Sequence, residues 1–260
     1  MSKMALFLMA AVAAGQTPPM SRDQMEQFLR TAPIVESKPL GPGGSSSQRA
    51  VLDDGQMRHD AHIQTVNLTK SDFEAGPGKE RDTYLFNLAA YELDKILGLN
   101  MTPAAVERKV AGQMASVTWW VDNSWMTEGQ RVREQRTPPD PEAWAKQMHV
   151  IRVFDQLVCN TDRNLMNLLI TKDWKLWMLD HTRAFRTQTT LPREVNVVKC
   201  DRKLLVQLRR LNKKDLEQRL KPLLNTEQID SLLARRDAIL KVFDQRIAEK
   251  GEQAVLYDWL

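Results

Sequence analysis

The stretch that decides the fold of this chain is Asn160-Thr161-Asp162-Arg163-Asn164-Leu165-Met166-Asn167, a polar loop that follows a predicted helix. Two apolar runs come next, residues 168–170 and 176–179, with a turn-like break between them. The second run leads directly into Asp180. Short apolar runs on either side of a polar break predict a β-hairpin, so the polar loop and Asp180 should lie at the same end of it.

The spacing of polar residues around this hairpin predicts a site for a divalent cation. With the turn centred between Asp173 and Trp174, residues whose numbers sum to 347 face each other, and Asn167 is then opposite Asp180. Opposed residues have Cβ atoms roughly 4.5–5.5 Å apart, so an amide oxygen and a carboxylate would converge. Oxygen ligands that leave room for water and phosphate suit Mg²⁺. We therefore expect Asn167 and Asp180 to be metal ligands.

Asp162 lies on the loop that enters this expected metal site, five residues before Asn167. From there it could orient a hydroxyl group and accept its proton. A loop aspartate, an asparagine five residues later and a second aspartate after a strand form the template of kinase-type phosphoryl transfer. Each of the three residues also has a simpler interpretation, as a turn residue or a strand-end cap. Their joint spacing favours the kinase-type site.

These residues resemble a known group of enzymes, the atypical protein-kinase-like families. The group comprises the phosphatidylinositol 3-/4-kinases, the HipA-type bacterial kinases and the secretory-pathway protein kinases. The resemblance lies in residues 160–163 (Asn-Thr-Asp-Arg), in Asn167 and in residues 179–185 (Leu-Asp-His-Thr-Arg-Ala-Phe). The loop is most similar to that of the type II phosphatidylinositol 4-kinases. A weaker resemblance, over residues 84–103, is to the small-lobe helix of the same families.

The resemblance implies an α+β, two-lobed protein-kinase-like fold, with a small antiparallel-sheet lobe that carries one helix and a mainly helical second lobe. It also implies that the chain binds ATP with Mg²⁺ (or Mn²⁺) and phosphorylates a hydroxyl acceptor. Asp162 would be the catalytic base, and Asn167 and Asp180 would hold the metal. Arg163 would be a cation that orders the loop or faces the phosphates.

Local patterns along the chain divide it in the same way. The expected small lobe, residues 31–125, contains short strand patterns, a hairpin turn at residues 53–55 (Asp-Asp-Gly) and a helix pattern over residues 81–97. The proline-rich segment 137–141 (Thr-Pro-Pro-Asp-Pro) marks the change to a helical pattern. The expected helical lobe covers residues 140–260.

A glycine- and serine-rich tract between two predicted strands is the expected cover for nucleotide phosphates. It supplies Gly41, Gly43, Gly44 and Ser45. Glycines allow the backbone to approach a phosphate closely, and a serine adds a hydroxyl donor. The same composition is equally typical of an ordinary surface loop, so both interpretations stay open.

The strand lysine of kinases is the main departure from the pattern. Gln64 stands where the resemblance places that lysine, and Asn87 stands where it places the partner glutamate. In one interpretation, the two amides keep a neutral hydrogen bond while another cation, for which we hypothesise Lys38, supplies the charge. In the other, the chain is a pseudokinase-type module that binds a nucleotide or a partner without turnover, because a lost cation weakens transition-state stabilisation.

The composition is that of a soluble globular protein, with 260 residues, 42% of them hydrophobic and 27% charged. A net charge of +4 is too small to indicate a nucleic-acid partner. Two cysteines, Cys159 and Cys200, exclude a disulfide framework and allow at most one bridge. A metal-dependent hydrolase, the remaining alternative, would need another carboxylate or histidine near Asp162, where the local sequence offers only Asp155.

The amino terminus predicts export. Lys3 precedes an apolar run over residues 4–14, and small residues follow it, which is typical of a signal peptide covering residues 1–15. The run is shorter than the ~18 residues that a membrane-spanning helix needs, so we expect no stable membrane span. The expected location is therefore secreted or periplasmic.

Overall fold

The computed structural model describes residues 20–41, 47–68 and 82–260. Within them, buried hydrophobic side chains form two clusters, one around a five-stranded sheet and one among helices. Each cluster is the core of one lobe. The α+β, two-lobed architecture expected from the sequence is confirmed.

The small lobe is built on an antiparallel sheet. Its strands are β1 (Ile34–Pro39), β2 (Ser47–Asp53), β3 (Arg58–Gln64), β6 (Ala105–Val110) and β7 (Gln113–Trp119). They lie side by side in the order β1-β2-β3-β7-β6. Two short strands, β4 (Asn67–Leu68) and β5 (Asp82–Thr83), pair with each other outside this sheet.

The hairpin between β2 and β3 turns at the predicted Asp-Asp-Gly sequence. Gly55 has a φ of 84°, a left-handed conformation that suits glycine, and its N–H donates to the Asp53 carboxylate at 2.9 Å. The Asp54 carboxylate accepts from the N–H groups of Gln56 and Met57 at 2.9 and 2.8 Å. These bonds fix the register in which the two strands present alternate residues to the core.

Helix α2 (Leu85–Leu97) packs on this sheet and is the helix that the sequence predicts. It begins at Leu85, later than residue 81, because Asp82–Thr83 is paired as β5. It ends at Gly98, whose φ of 70° is the left-handed conformation typical of a helix C-terminus.

A further helix, α1 (Arg22–Thr31), precedes the sheet and adds to the one helix expected for the small lobe. Ser21 and Gln24 form a capping box at its start. Only Phe28 and Leu29 are buried, and the Phe28 ring contacts Trp119 edge-on at 5.9 Å. Helix α1 therefore packs against the core of the small lobe. Its apolar stripe is short, so its sequence pattern is weak.

The helical lobe contains six helices in the described ranges of the chain. They are α3 (Glu128–Arg133), α4 (Pro141–Leu157), α5 (Arg202–Arg210), α6 (Lys213–Leu220), α7 (Thr226–Lys250) and α8 (Glu252–Val255). Its strands are β8 (Ser124–Thr127), β9 (Leu168–Thr171) and β10 (Leu176–Met178), which form one sheet, and the parallel pair β11 (Cys200–Asp201) and β12 (Leu256–Tyr257). Single 3₁₀ turns occur at Leu165–Asn167 and Glu194–Asn196.

Helix α4 brings the polar loop to the interface between the lobes. Asp140 caps its first turn by accepting from the Ala143 N–H at 2.9 Å, and Pro141 occupies the first helical position. The helix ends at Leu157, two residues before Cys159. No helix among the described residues has the length and apolar content to cross a bilayer.

We predict that α1 is an integral part of the small-lobe core. Leu29 is fully buried, so the Leu29→Ala substitution should lower the free energy of unfolding by about 2–5 kcal/mol through lost burial and a cavity. The matched control is Val35→Ala on the exposed side of β1, which should change it by less than about 0.5 kcal/mol. The free energy of unfolding of both variants is measured by urea denaturation, with tryptophan fluorescence as the probe. Equal effects of the two substitutions would contradict the assignment of α1 to the small-lobe core.

Candidate active site

The hairpin that follows the polar loop has a register one residue away from the predicted one. Leu168 pairs with Met178, and Ile170 pairs with Leu176, so paired numbers sum to 346 rather than 347. The turn contains three residues instead of two, and the last of them, Trp174, has a left-handed φ of 63°. The prediction that Asn167 directly faces Asp180 is therefore wrong.

Asp180 nevertheless reaches the same cavity as Asn167. Leu179 is the residue that faces Asn167, and its N–H donates to the Asn167 carbonyl at 2.9 Å. The next residue, Asp180, has a φ of 49°, which ends the extended backbone and turns its carboxylate away from the strand direction. Asn167 and Asp180 both line one cavity between the lobes.

The oxygens of these two side chains are available for a ligand. Asp180 Oδ1 accepts from the Thr182 hydroxyl at 2.9 Å and from the Thr182 N–H at 3.3 Å. Asp180 Oδ2 and the Asn167 amide make no hydrogen bond within the described part of the chain. A carboxylate oxygen and an amide oxygen of this kind fit a Mg²⁺ or Mn²⁺ ion that keeps water and phosphate as its other ligands.

The cavity lies between the small-lobe sheet and the β9–β10 hairpin and has a volume of about 330 Å³. That volume falls in the range of small-molecule sites, roughly 300–1,000 Å³. Ser47, His62 and Gln64 line it from the sheet, while Leu169 and Met178 line it from the hairpin. No lysine or arginine contributes to the lining within residues 20–41, 47–68 and 82–260.

Gln64 and Asn87 form the neutral contact expected from the sequence. The Asn87 amide N–H donates to Gln64 Oε1 at 2.6 Å. Asn87 Oδ1 accepts from the backbone N–H of His181 at 2.7 Å, which fixes the orientation of the Asn87 amide. The amide pair therefore connects β3 and α2 to the residue that follows Asp180.

Arg163 orders the polar loop from inside. Its Nε and Nη2 groups donate to the Asp155 carboxylate at 3.0–3.2 Å, and both side chains are almost fully buried. Its Nη1 donates to the carbonyls of Asn167 at 3.1 Å and Leu179 at 2.6 Å. The second Nη2 proton points to His181 Nε2 at 2.8 Å. All five guanidinium N–H groups of Arg163 are thus used in hydrogen bonds within the protein.

His181 is held neutral beside this arginine. Burial and the positive charge of Arg163 lower the pKa of His181 well below its usual value. Because a guanidinium can only donate, His181 Nε2 is the acceptor, and the ring proton of the neutral imidazole is on Nδ1. A neutral His181 can therefore pack against the Phe154 ring, which it meets edge-on at 5.8 Å.

Asp162 is not among the residues that line the cavity, and half of its side chain is exposed. Its backbone N–H donates to Asn160 Oδ1 at 3.1 Å, and its carboxylate accepts from Arg183 Nη1 at 3.3 Å. Arg183 also donates from Nε to Asp82 at 2.8 Å, and this hydrogen bond is the main cause that raises the pKa of Arg183. Sequence spacing assigns no role to Arg183, although it lies three residues after Asp180.

His62 is a second residue of the site that sequence reasoning missed. Its Nε2 lies 2.6 Å from the Ser47 hydroxyl, on the side of the sheet that faces the cavity. Burial lowers the pKa of His62, and the negative charge of Asp180 acts in the opposite direction. The alternation of β3 was the available signal, since residues 62 and 64 share one face of a strand.

The expected phosphate-binding residues of the small lobe do not all lie near this cavity. Lys38 is exposed on the edge strand β1, next to Arg49 of β2, and does not line the cavity. Gly41 follows β1 with a φ of 100°, which only glycine adopts readily. Gly43, Gly44 and Ser45 lie outside the described residues.

The described residues contain neither a cluster of metal-ligating side chains nor a disulfide. No group of three or more His, Cys, Asp or Glu side chains there is placed to hold a metal ion. Cys159 and Cys200 are both buried and do not form a disulfide with each other. The Asp155 carboxylate is fully engaged by Arg163 and Asn160, so it is not available as the extra acid that a hydrolase would need.

Solved structures share this architecture, whereas no protein-family model and no curated protein matches the sequence. A hydra Fam20 structure, solved with sugar, has a TM-score of 0.70 at 14% identity, over 91% of this chain and 92% of that one. The Golgi casein kinase with Mn/ADP bound has a TM-score of 0.68 at 14% identity, over 92% and 80%. A second structure of the Golgi casein kinase gives 0.67 at 14% identity, over 91% and 79%. The chain therefore shares the fold of the Fam20 and Golgi casein kinase structures.

We predict that Arg163 is essential for stability, because its removal leaves the buried Asp155 carboxylate without its charged partner. Arg163→Met should lower the free energy of unfolding by about 3–5 kcal/mol. The double variant Arg163→Met/Asp155→Leu should lose much less than the sum of the two single variants. Arg152→Met, on the exposed face of α4, is the control. Additive losses in a denaturant double-mutant cycle would show that the two side chains are not coupled.

Proposed function

We propose that this chain transfers the γ-phosphoryl group of ATP to a hydroxyl acceptor in the presence of Mg²⁺ or Mn²⁺. The observation that carries the proposal is the shared cavity of Asn167 and Asp180, into which both present oxygens that the described residues leave unbonded. The kinase-like fold supports it, as does the Mn/ADP bound in the Golgi casein kinase. The acceptor class is not part of the proposal.

In this proposal, Asn167 and Asp180 are the metal ligands. Their oxygens are held in place from outside the cavity, because Arg163 fixes the Asn167 backbone and Thr182 fixes one oxygen of Asp180. When bound, the ion would neutralise charge on the phosphate oxygens of the nucleotide. Neither side chain needs to break a hydrogen bond with a described residue to bind it.

Asp162 is the proposed catalytic base. Its half-exposed carboxylate is open to solvent, from which an acceptor hydroxyl can approach. During transfer, the acceptor oxygen forms a bond to the γ-phosphorus, and the bond from that phosphorus to the bridging oxygen of ADP breaks. The hydroxyl proton passes to Asp162. General-base assistance of this kind typically contributes about 10²- to 10⁴-fold in rate.

The small lobe would cover the nucleotide. The apolar residues of the cavity, among them Leu169 and Met178, offer a surface for the base, and the tract over residues 41–47 would close over the phosphates. Gln64 would face the nucleotide at the position of the usual lysine, held by Asn87. Lys38 could serve as the substitute cation only if β1 moved, because its side chain lies outside the cavity lining.

Export is also part of the proposal. The expected signal peptide, residues 1–15, lies outside the described residues. Two of the structural neighbours are Golgi casein kinase structures, so enzymes of this fold do function in a secretory compartment. We propose that the chain is secreted or periplasmic.

A pseudokinase-type module without turnover is the second candidate function. It is favoured by the uncharged Gln64–Asn87 pair and by a described cavity lining without lysine or arginine. Such a module would bind a nucleotide or a partner in the same cavity. Measured turnover separates the two candidates.

We predict that Asp180 is required for metal-dependent nucleotide binding. Asp180→Asn keeps a side chain that tolerates the left-handed backbone but removes the charge. The affinity for ATP in Mg²⁺, measured by isothermal titration calorimetry, should fall at least about tenfold, equivalent to about 1.4 kcal/mol. Asp258→Asn, at an exposed carboxylate, should leave it unchanged. Unaltered Mg²⁺-ATP affinity in Asp180→Asn would remove the metal-site assignment.

The phosphotransferase proposal is tested by turnover. The purified chain is incubated with labelled ATP, Mg²⁺ or Mn²⁺ and protein, lipid and sugar acceptors, alongside Asp162→Asn. The wild-type chain should transfer phosphate, and Asp162→Asn should lower kcat by about 10²- to 10⁴-fold with little change in nucleotide affinity. Nucleotide-induced thermal stabilisation of the wild type without any phosphate transfer would favour the pseudokinase-type module instead.

A further inference from the structure

The proposed reaction requires a cation that the residues assigned so far do not supply. A phosphoryl group in transfer carries negative charge on three equatorial oxygens. The described cavity lining has no lysine or arginine, and Gln64 stands at the usual lysine position. Arg163 donates all of its N–H groups to protein acceptors, and Lys38 is exposed on an edge strand.

Arg183 is the cation that contacts the proposed catalytic base, Asp162. Its guanidinium lies 3.3 Å from Asp162 and 2.8 Å from Asp82, and it also interacts electrostatically with Asp180. Asp162 is the proposed base and Asp180 a proposed metal ligand. Arg183 therefore interacts with both the proposed base and a proposed metal ligand.

The guanidinium has donors to spare. Of its five N–H groups, Nε donates to Asp82 and one on Nη1 donates to Asp162, which leaves three. Half of the side chain is exposed, so these three donors are open to a ligand from solvent. Arginine presents such donors in a planar fork that matches the oxygens of a phosphoryl group.

We infer that Arg183 binds the γ-phosphoryl group of the nucleotide and takes over the charge-stabilising role of the missing strand lysine. This inference rests on the proposed function. The hydrogen bonds of Arg183 to Asp82 and Asp162 then have different roles. The 2.8 Å bond to the nearly buried Asp82 anchors the side chain, and the longer bond to Asp162 is the one that opens.

The same exchange would free the base. In the structure, Arg183 occupies one oxygen of Asp162 at a distance longer than the 2.7–2.9 Å of a strong charged hydrogen bond. When the γ-phosphoryl group draws Arg183 away, that oxygen becomes available for the acceptor proton. During transfer, the acceptor oxygen bonds to phosphorus, ADP leaves with the bridging oxygen, and the proton passes to Asp162. Arg183 gives up no proton and only stabilises the negative charge.

The test compares ATP with ADP, because only ATP carries the γ-phosphate. Calorimetric affinities for both are measured in Mg²⁺ for the wild type, Arg183→Gln and Arg183→Lys. Arg183→Gln should weaken ATP binding about 10- to 100-fold and change ADP binding by less than about threefold. Arg183→Lys keeps the charge but not the planar set of donors, so its ATP affinity should lie between those of the wild type and Arg183→Gln. Phosphate transfer by Arg183→Gln should fall about 10²- to 10³-fold.

The control is Arg193→Gln, at an exposed arginine without an ion pair in the described residues, which should bind both nucleotides as the wild type does. An ATP loss matched by an equal ADP loss, or no loss of either, overturns the inference while the proposed function stands. A wild type that binds neither nucleotide with Mg²⁺ or Mn²⁺ overturns both. Thermal unfolding shows whether Arg183→Gln is folded, and if it is not, the ATP-to-ADP ratio of Arg183→Lys decides.

Discussion

The buried ion pair of Arg163 with Asp155 is the constraint on which the rest of the site depends. Withdrawing both charges from water has a large desolvation cost, which only a fully bonded arrangement offsets. Arg163 meets that condition by bonding to α4 through Asp155, to both ends of the β9–β10 hairpin and to His181. One side chain therefore joins the helix, the polar loop and the segment after the second apolar run. This bonding leaves the loop with Asp162 facing outward and Asn167 facing the cavity.

The candidate site could be predicted from sequence where its residues lie close together along the chain. Asn167 and Asp180 line one cavity, although the expected register was off by one. The turn length could not be inferred from sequence, because Trp174 is an unusual residue for a left-handed position. Arg183 escaped notice for a different reason. Its importance lies in contacts with Asp82 and Asp162, which are distant in sequence and meet only in the folded chain.

The fold was predictable wherever the hydrophobic pattern is strong. The β2–β3 turn, α2 and α4 follow from glycine, proline and apolar periodicity, and each has the predicted type. Helix α1 could not be predicted with the same ease, since only Phe28 and Leu29 are buried and, apart from Met25, the remaining residues are polar. The late start of α2 results from the pairing of β4 with β5, a tertiary contact that overrides local helix propensity. The elements that the sequence missed are thus those held by contacts between distant segments.

The most direct measurement of the central claim is the position of a bound divalent ion. The chain is crystallised with Mn²⁺ and ADP, and anomalous difference density is collected near the manganese edge. The account predicts a manganese peak between the Asn167 amide oxygen and the Asp180 carboxylate, with the ADP phosphates beside it in the cavity between the lobes. Manganese and nucleotide bound elsewhere, with Asn167 and Asp180 contacting neither, would contradict it.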